Sequence, residues 1–244
     1  MLKGKRVLIT GGSGALGRAL CLRAAQEGAS VAFTYHSNQD RAAQTRRQIE
    51  GAARKALTFQ VSALEKAALE KVAREIDKAW GGIDVLINNA GINQPMPFSL
   101  MEEKDWDLVV DTNVKGLYLT THAILPFMIR QRQGVILNVS SLAGLKLIEN
   151  PVHYSTSKAA VKGFTESLAV EVARYNVRVN CLAPGLLDEG MADLAPDYKW
   201  SDYLKMVALG RRGTTAEVAR CAVFLVSDRN SFMNGSTLHI DGGF

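Results

Sequence analysis

Short apolar runs alternate along the chain with longer stretches in which apolar residues recur every three or four positions. This is the pattern of a parallel sheet covered by helices on both faces. The runs predict strands at Arg6–Thr10, Ser30–Tyr35, Ala56–Val61, Ile83–Asn88, Gly134–Ser140, Val177–Leu182 and Ser236–Ile240. The amphipathic stretches predict helices at about Ala15–Glu27, Asp40–Ala53, Ala63–Trp80, Glu102–Arg132, Pro151–Tyr175 and Thr215–Val226. Each crossover then holds a helix, as parallel pairing requires. The expected fold is α/β, an open doubly wound parallel sheet of about seven strands in a single domain spanning residues 1–244. Ligands of such sheets sit beyond the carboxyl ends of the strands. The irregular segment after the sixth strand, at about 186–210, is therefore a candidate lid.

Composition narrows the classes. The chain has 244 residues, 47% hydrophobic and 22% charged, with 21 Gly and 6 Pro, a globular balance that excludes collagen-like, coiled-coil and disordered proteins. Its longest uncharged stretch, Val85–Met101, is broken by Asn, Gln and two prolines, so no spanning helix and no membrane partner is expected. Cys21, Cys181 and Cys221 are too few and too scattered for a disulfide framework or a CxxC metal site. Reduced thiols, no metal and a cytoplasmic location are expected, the more so because Met1–Thr10 lacks the hydrophobic stretch of a signal peptide. The net charge of +5 is spread along the chain, and its densest cluster, Arg41, Arg46, Arg47, Arg54 and Lys55, reads as a solvated helix face. An anionic ligand or acidic partner fits this charge better than nucleic acid.

Thr10-Gly11-Gly12-Ser13-Gly14-Ala15-Leu16-Gly17 follows the first strand and opens a helix. Glycines there allow a sharp turn and close backbone approach to a pyrophosphate, and the helix end favours its charge. Gly11, Ser13, Gly14, Leu16 and Gly17 are thus candidate dinucleotide contacts. No Lys-Ser or Lys-Thr closes the loop, so it is not a Walker loop. The second strand ends in Tyr35-His36-Ser37-Asn38 without the carboxylate that would repel a 2′-phosphate. NADP(H) is the preferred cofactor on that ground, with NAD(H) as the alternative.

Tyr154 and Lys158 stand four residues apart on a predicted helix and share a face. A neighbouring ammonium lowers the phenol pKa from its ordinary value of about 10 and makes Tyr a usable acid or base. Ser141, at the end of the fifth strand, falls on the same sheet edge as the glycine loop and offers a hydroxyl to a substrate carbonyl. Asn88-Asn89-Ala90-Gly91 ends the fourth strand at that edge. Asn113 lies inside a predicted helix, where an amide is mildly unfavourable, so it either caps an irregularity or serves the site.

Over essentially the whole chain these residues, with Pro184-Gly185 and the terminal Asp241-Gly242-Gly243, resemble the short-chain dehydrogenases/reductases, most closely the 3-oxoacyl-acyl-carrier-protein reductases. The resemblance implies a Rossmann-type fold and a catalytic tetrad of Asn113, Ser141, Tyr154 and Lys158. Tyr154 would protonate the carbonyl oxygen as hydride arrives, and Ser141 would position that oxygen. Lys158 would lower the phenol pKa and bind the ribose, and Asn113 would hold a water leading to solvent. Asn89, Ala90, Gly91, Gln60, Val61, Pro184, Gly185 and Leu187 would complete the cofactor site, and Gln94, Leu142 and Met191 would meet the substrate together with Ser141. The chain departs from the family pattern at Ala15, at Gly14 where NADP-dependent members often carry a basic residue, at Gln60 and at Glu189.

The pocket mouth is expected to include Met96, Leu142–Asn150 and His153, with Tyr198, Trp200 and Tyr203 on the lid, a mixed lining suited to an acyl or polyketide-like ketone. Resemblance also implies a homotetramer, and an acidic acyl carrier protein docking near Arg132 and Arg174 as the candidate carrier of the substrate. Two alternatives stay open: an NAD(P)-dependent sugar, polyol or cyclic alcohol dehydrogenase, and a cofactor-sensing regulator without turnover.

Overall fold

The computed structural model describes residues 1–52, 54–191 and 197–244, with the side chains of 197–200 excepted. Seven parallel strands form one sheet in the order β3-β2-β1-β4-β5-β6-β7. They are β1 (Arg6–Ile9), β2 (Ser30–Tyr35), β3 (Ala56–Gln60), β4 (Val85–Asn88), β5 (Gly134–Val139), β6 (Val177–Pro184) and β7 (Thr237–Ile240). The helices are α1 (Ala15–Gln26), α2 (Gln39–Gly51), α3 (Lys66–Trp80), α4 (Glu103–Val110), α5 (Gly116–Gln131), α6 (Val152–Val172), α7 (Asp197–Lys205) and α8 (Thr215–Val226). This is the Rossmann-type arrangement. Chain order reverses between β1 and β4, which opens a crevice at their carboxyl ends.

Alternation along β1 shows how the sheet separates two cores. Val7 and Ile9 face α1, α2 and α8 with Leu20, Ile49 and Val223, while Leu8 faces α3, α5 and α6 with Ile76, Ile124 and Val172. All nine side chains are almost fully buried. Each large apolar side chain so buried contributes about 1.5–3 kcal/mol.

The expected helix over Glu102–Arg132 is interrupted. Between α4 and α5 the backbone widens into a π-helical turn at Asp111–Lys115, which carries Asn113. A single such turn shifts the side-chain register by only one residue, too small a break for the apolar pattern of the flanking helices to reveal. A second difference is α7, which lies within the segment expected to be an irregular lid. Residues 192–196 of that segment, and the Tyr198 and Trp200 side chains, lie outside the described residues.

Candidate active site

Thr10, just beyond β1, joins the glycine loop to the end of β4. Its hydroxyl accepts the backbone N–H groups of Asn89 at 3.0 Å and Ala90 at 2.9 Å, and the Asn89 amide returns a bond to the Thr10 carbonyl at 3.0 Å. Gly11 takes a φ of +71°, and a Cβ on Gly17 would lie 2.0 Å from the Gly11 carbonyl oxygen. Among the described residues no side-chain cap is made at the N-terminus of α1, whose N-cap residue is Gly14, and its first turn holds no acidic residue. The loop is therefore a cradle of backbone donors and positive dipole, the chemistry a pyrophosphate needs.

Four side chains meet beyond β4 and β5. The 3₁₀ turn Leu142–Gly144 packs so tightly on α6 that a Cβ on Gly144 would lie 2.4 Å from the Ala159 nitrogen, and this brings Ser141 to the Tyr154 phenol, with which it hydrogen-bonds. Ser140 anchors the next helical turn by donating to the Lys158 carbonyl at 2.7 Å. The Lys158 ammonium donates to the Val139 carbonyl at 3.0 Å and stands 5.7 Å from the Tyr154 ring centre. The Asn113 carboxamide accepts the Ile92 N–H at 2.8 Å and donates to the Ile92 carbonyl and to Ser157 Oγ, both at 2.9 Å. A Cβ on Gly91 would come within 3.0 Å of Asn113 Oδ1 and 3.3 Å of Lys158 Nζ, so the missing side chain keeps the space before the ammonium open.

Burial governs the electrostatics. It pushes the Tyr154 phenol up, with the Ser141 hydrogen bond the one influence pulling it down. It pulls the Lys158 ammonium down to about 8. Burial thus outweighs the neighbouring ammonium at the Tyr154 phenol, and the ammonium itself is turned to the Val139 carbonyl.

A cleft of about 1600 Å³ runs from the glycine loop past these residues. It exceeds the roughly 300–1,000 Å³ of an ordinary ligand pocket, leaving room for a second molecule beside a dinucleotide. Its walls include Gly11, Ser13, Gly14, Leu16 and Gly17, then Tyr35, His36, Ser37, Val61, Asn89, Ala90 and Gly91. Ser141, Leu142, Tyr154, Lys158, Pro184, Gly185, Leu187 and Met191 complete the run of expected residues. Asn113 stands behind this wall, 2% exposed.

Three expected contacts turn elsewhere. Asn38 caps α2, its side chain accepting the Arg41 N–H at 3.0 Å. Gln60 donates to the His36 carbonyl at 3.2 Å, and Gln94 donates to the Asp105 carboxylate at 3.2 Å. None of the three lines the cleft. His153, expected at the mouth, is fully buried, with its Nδ1 taking the Tyr154 N–H at 2.7 Å.

Two contributors were missed. Ser157 relays between Asn113 and the Tyr154 carbonyl, to which it donates at 2.7 Å; its place one turn after Tyr154 was the available signal. Arg41, expected on a solvated face, lines the cleft together with His36 and Ser37.

Residues 5–199 match the family model for short chain dehydrogenases. The chain is 37% identical over 242 residues to 3-oxoacyl-[acyl-carrier-protein] reductase FabG of Thermotoga maritima, covering 99% of this chain and 98% of that protein. Levodione reductase superimposes with a TM-score of 0.94 at 30% identity, covering 100% of this chain and 98% of that one. A short-chain dehydrogenase of Burkholderia cenocepacia in complex with NADP superimposes with a TM-score of 0.92 at 30% identity, covering 99% and 98%. Among the described residues no helix is long and apolar enough to cross a membrane. With the glycine cradle and the Ser, Tyr and Lys side chains on one cleft, these matches establish that the chain belongs to the short-chain dehydrogenase/reductase family and is an NAD(P)-dependent oxidoreductase.

Proposed function

We propose that this chain is an NADPH-dependent reductase of 3-oxoacyl thioesters or related polyketide-like ketones. The observation that carries the reading is the convergence of Ser141, Tyr154 and Lys158 on the cleft that begins at the glycine cradle. The residues fit the cofactor: uncapped backbone donors suit a diphosphate, and the open space kept by Gly91 suits a ribose before Lys158.

When bound, the nicotinamide supplies hydride to the carbonyl carbon. Tyr154 gives its phenolic proton to the carbonyl oxygen, and Ser141 holds that oxygen by a hydrogen bond, so that hydride plus proton yields the hydroxy product. A buried phenol with a raised pKa is protonated at neutral pH, the form a donor needs. Lys158 keeps its charge below about pH 8 and favours the phenolate left behind. Asn113 acts as a positioning residue: both amide hydrogens are committed to Ile92 and Ser157, leaving a lone pair on Oδ1 for the water of a proton path.

Preference for NADPH is supported by Arg41, His36 and Ser37 on the wall after β2, a donor set with no carboxylate. Met96, Phe98, Leu108, Ile148, Met191 and Met206 give the mouth an apolar side, next to the polar Glu149, Asn150 and Asp202, a mixed lining that suits an acyl chain bearing a polar carrier. The FabG-named relatives support an acyl carrier protein as the carrier; Arg132 and Arg174, expected as its contacts, stand instead at the amino ends of β5 and β6, the sheet edge opposite the cleft, and neither lines it. Exposed Tyr118 and Val170 on α5 and α6 fit the homotetramer implied by resemblance, and free thiols at Cys21, Cys181 and Cys221 fit a reducing cytoplasm.

The test is loss of NADPH absorbance with acetoacetyl thioesters of coenzyme A and of an acyl carrier protein. Turnover with NADPH well above that with NADH is expected. Absence of turnover on every 3-oxoacyl thioester, alongside oxidation of polyols or cyclic alcohols with NAD, would overturn it.

A further inference from the structure

Glu189 follows β6 and lies over the first turn of α1. Its Oε1 accepts the Thr215 hydroxyl at 2.7 Å, and its Oε2 accepts the Arg18 guanidinium at 3.4 Å. Glu189 and Arg18 both line the cleft and are both partly exposed. A Cβ on the next residue, Gly190, would lie 3.2 Å from the Ala15 Cβ, so this segment sits directly against the start of α1. Backbone pairing holds it there: Asp188 donates to the Gly213 carbonyl at 2.9 Å, and Gly213 donates to the Leu186 carbonyl at 3.0 Å. A carboxylate from another part of the fold is thereby brought to the uncapped, acid-free helix end, where the dipole and Arg18 attract anions.

We propose that Glu189 competes internally with the cofactor diphosphate for Arg18, so that the Arg18–Glu189 pair latches the phosphate end of the cleft and residue 189 sets how tightly the dinucleotide is held. The inference rests on the dinucleotide reading above. With the cleft free, Glu189 neutralises Arg18. An anion that takes the guanidinium leaves the carboxylate with Thr215 alone, and the like charges oppose each other. Both side chains are partly solvated, so the opposition is modest and sensitive to salt.

Calorimetric titration of ADP, adenosine and NADPH tests the latch on the unmutated protein, Glu189→Gln, Arg18→Gln and the double variant. Glu189→Gln, which keeps the side-chain shape, is expected to tighten ADP and NADPH about three- to fivefold at low salt, less at high salt, and to leave adenosine unchanged. In the Arg18→Gln background the part of that gain that comes from freeing the guanidinium disappears, and the smaller part that comes from like-charge opposition remains. Glu189→Ala, which removes the charge and adds no donor, repeats the result should the amide variant fold poorly. Unchanged or weaker ADP binding in Glu189→Gln, or an equal gain for adenosine, would overturn the latch. Failure of the unmutated protein to bind any nicotinamide dinucleotide would instead overturn the functional reading.

Discussion

The Asn113 amide nitrogen lies 2.9 Å from Ser157 Oγ, and Ser157 in turn donates to the Tyr154 carbonyl at 2.7 Å. One buried chain of hydrogen bonds therefore joins the π-helical turn to the helix that presents Tyr154 and Lys158. Asn113→Ala removes partners from the Ile92 N–H, the Ile92 carbonyl and Ser157 at once. The expected destabilisation is about 1–3 kcal/mol, read by urea denaturation, with a fall in kcat that Ser157→Ala shares to a smaller degree.

Tyr154→Phe deletes the proposed proton donor and leaves the ring in its packed site against Val109 and Ala143. The reductase rate is expected to fall about 10²–10⁴-fold with little change in melting temperature. Unchanged turnover would remove Tyr154 from the mechanism.

Lys158 is charged at neutral pH at the cost of its burial, which lowers its pKa from 10.5 to about 8. Between about pH 8 and 10.5 the unfolded chain binds more protons at this position than the folded one, so this group makes stability rise with pH across that window. Below about pH 8 both states are protonated and the full penalty stands. Lys158→Met removes the group, so the unmutated protein gains stability relative to the variant from pH 8 to 10. Urea denaturation of both proteins at several pH values measures this, and a constant difference would contradict it.

Two glycines of the phosphate loop are expected to differ sharply. A Cβ on Gly17 meets the Gly11 carbonyl at 2.0 Å, whereas one on Gly14 meets it at 3.4 Å, an ordinary contact on an extended backbone of φ −76°. Gly17→Ala is expected to distort the cradle and abolish detectable dinucleotide binding. Gly14→Ala costs about 1 kcal/mol or less as an N-cap change and keeps binding. Thermal denaturation and cofactor titration separate the two.

Arg41 lines the cleft wall after β2 and offers it a guanidinium group. Arg41→Gln is expected to weaken NADPH by about tenfold, from the loss of a charge-assisted hydrogen bond, and to leave NADH affinity nearly unchanged. Equal effects on both cofactors in a binding titration would rule out a contact to the 2′-phosphate.

Much of this protein is written in short-range pattern. The strand–glycine–helix junction at Thr10–Gly17 and the Tyr154–Lys158 spacing depend only on backbone geometry over a few residues, and alternation such as Val7-Leu8-Ile9 divides the two cores without reference to distant residues. Side-chain direction at Asn38, Gln60 and Gln94 depends on what competes for each amide: the Arg41 N–H, the His36 carbonyl and the Asp105 carboxylate won over the cleft. The π-helical turn at Asn113 was hidden because its reward, the backbone of Ile92, is offered by a loop 21 residues away in sequence. Only the assembled fold could aim the Lys158 ammonium at the Val139 carbonyl and bury the Tyr154 phenol, because desolvation is a property of everything packed around a group and of no residue in particular.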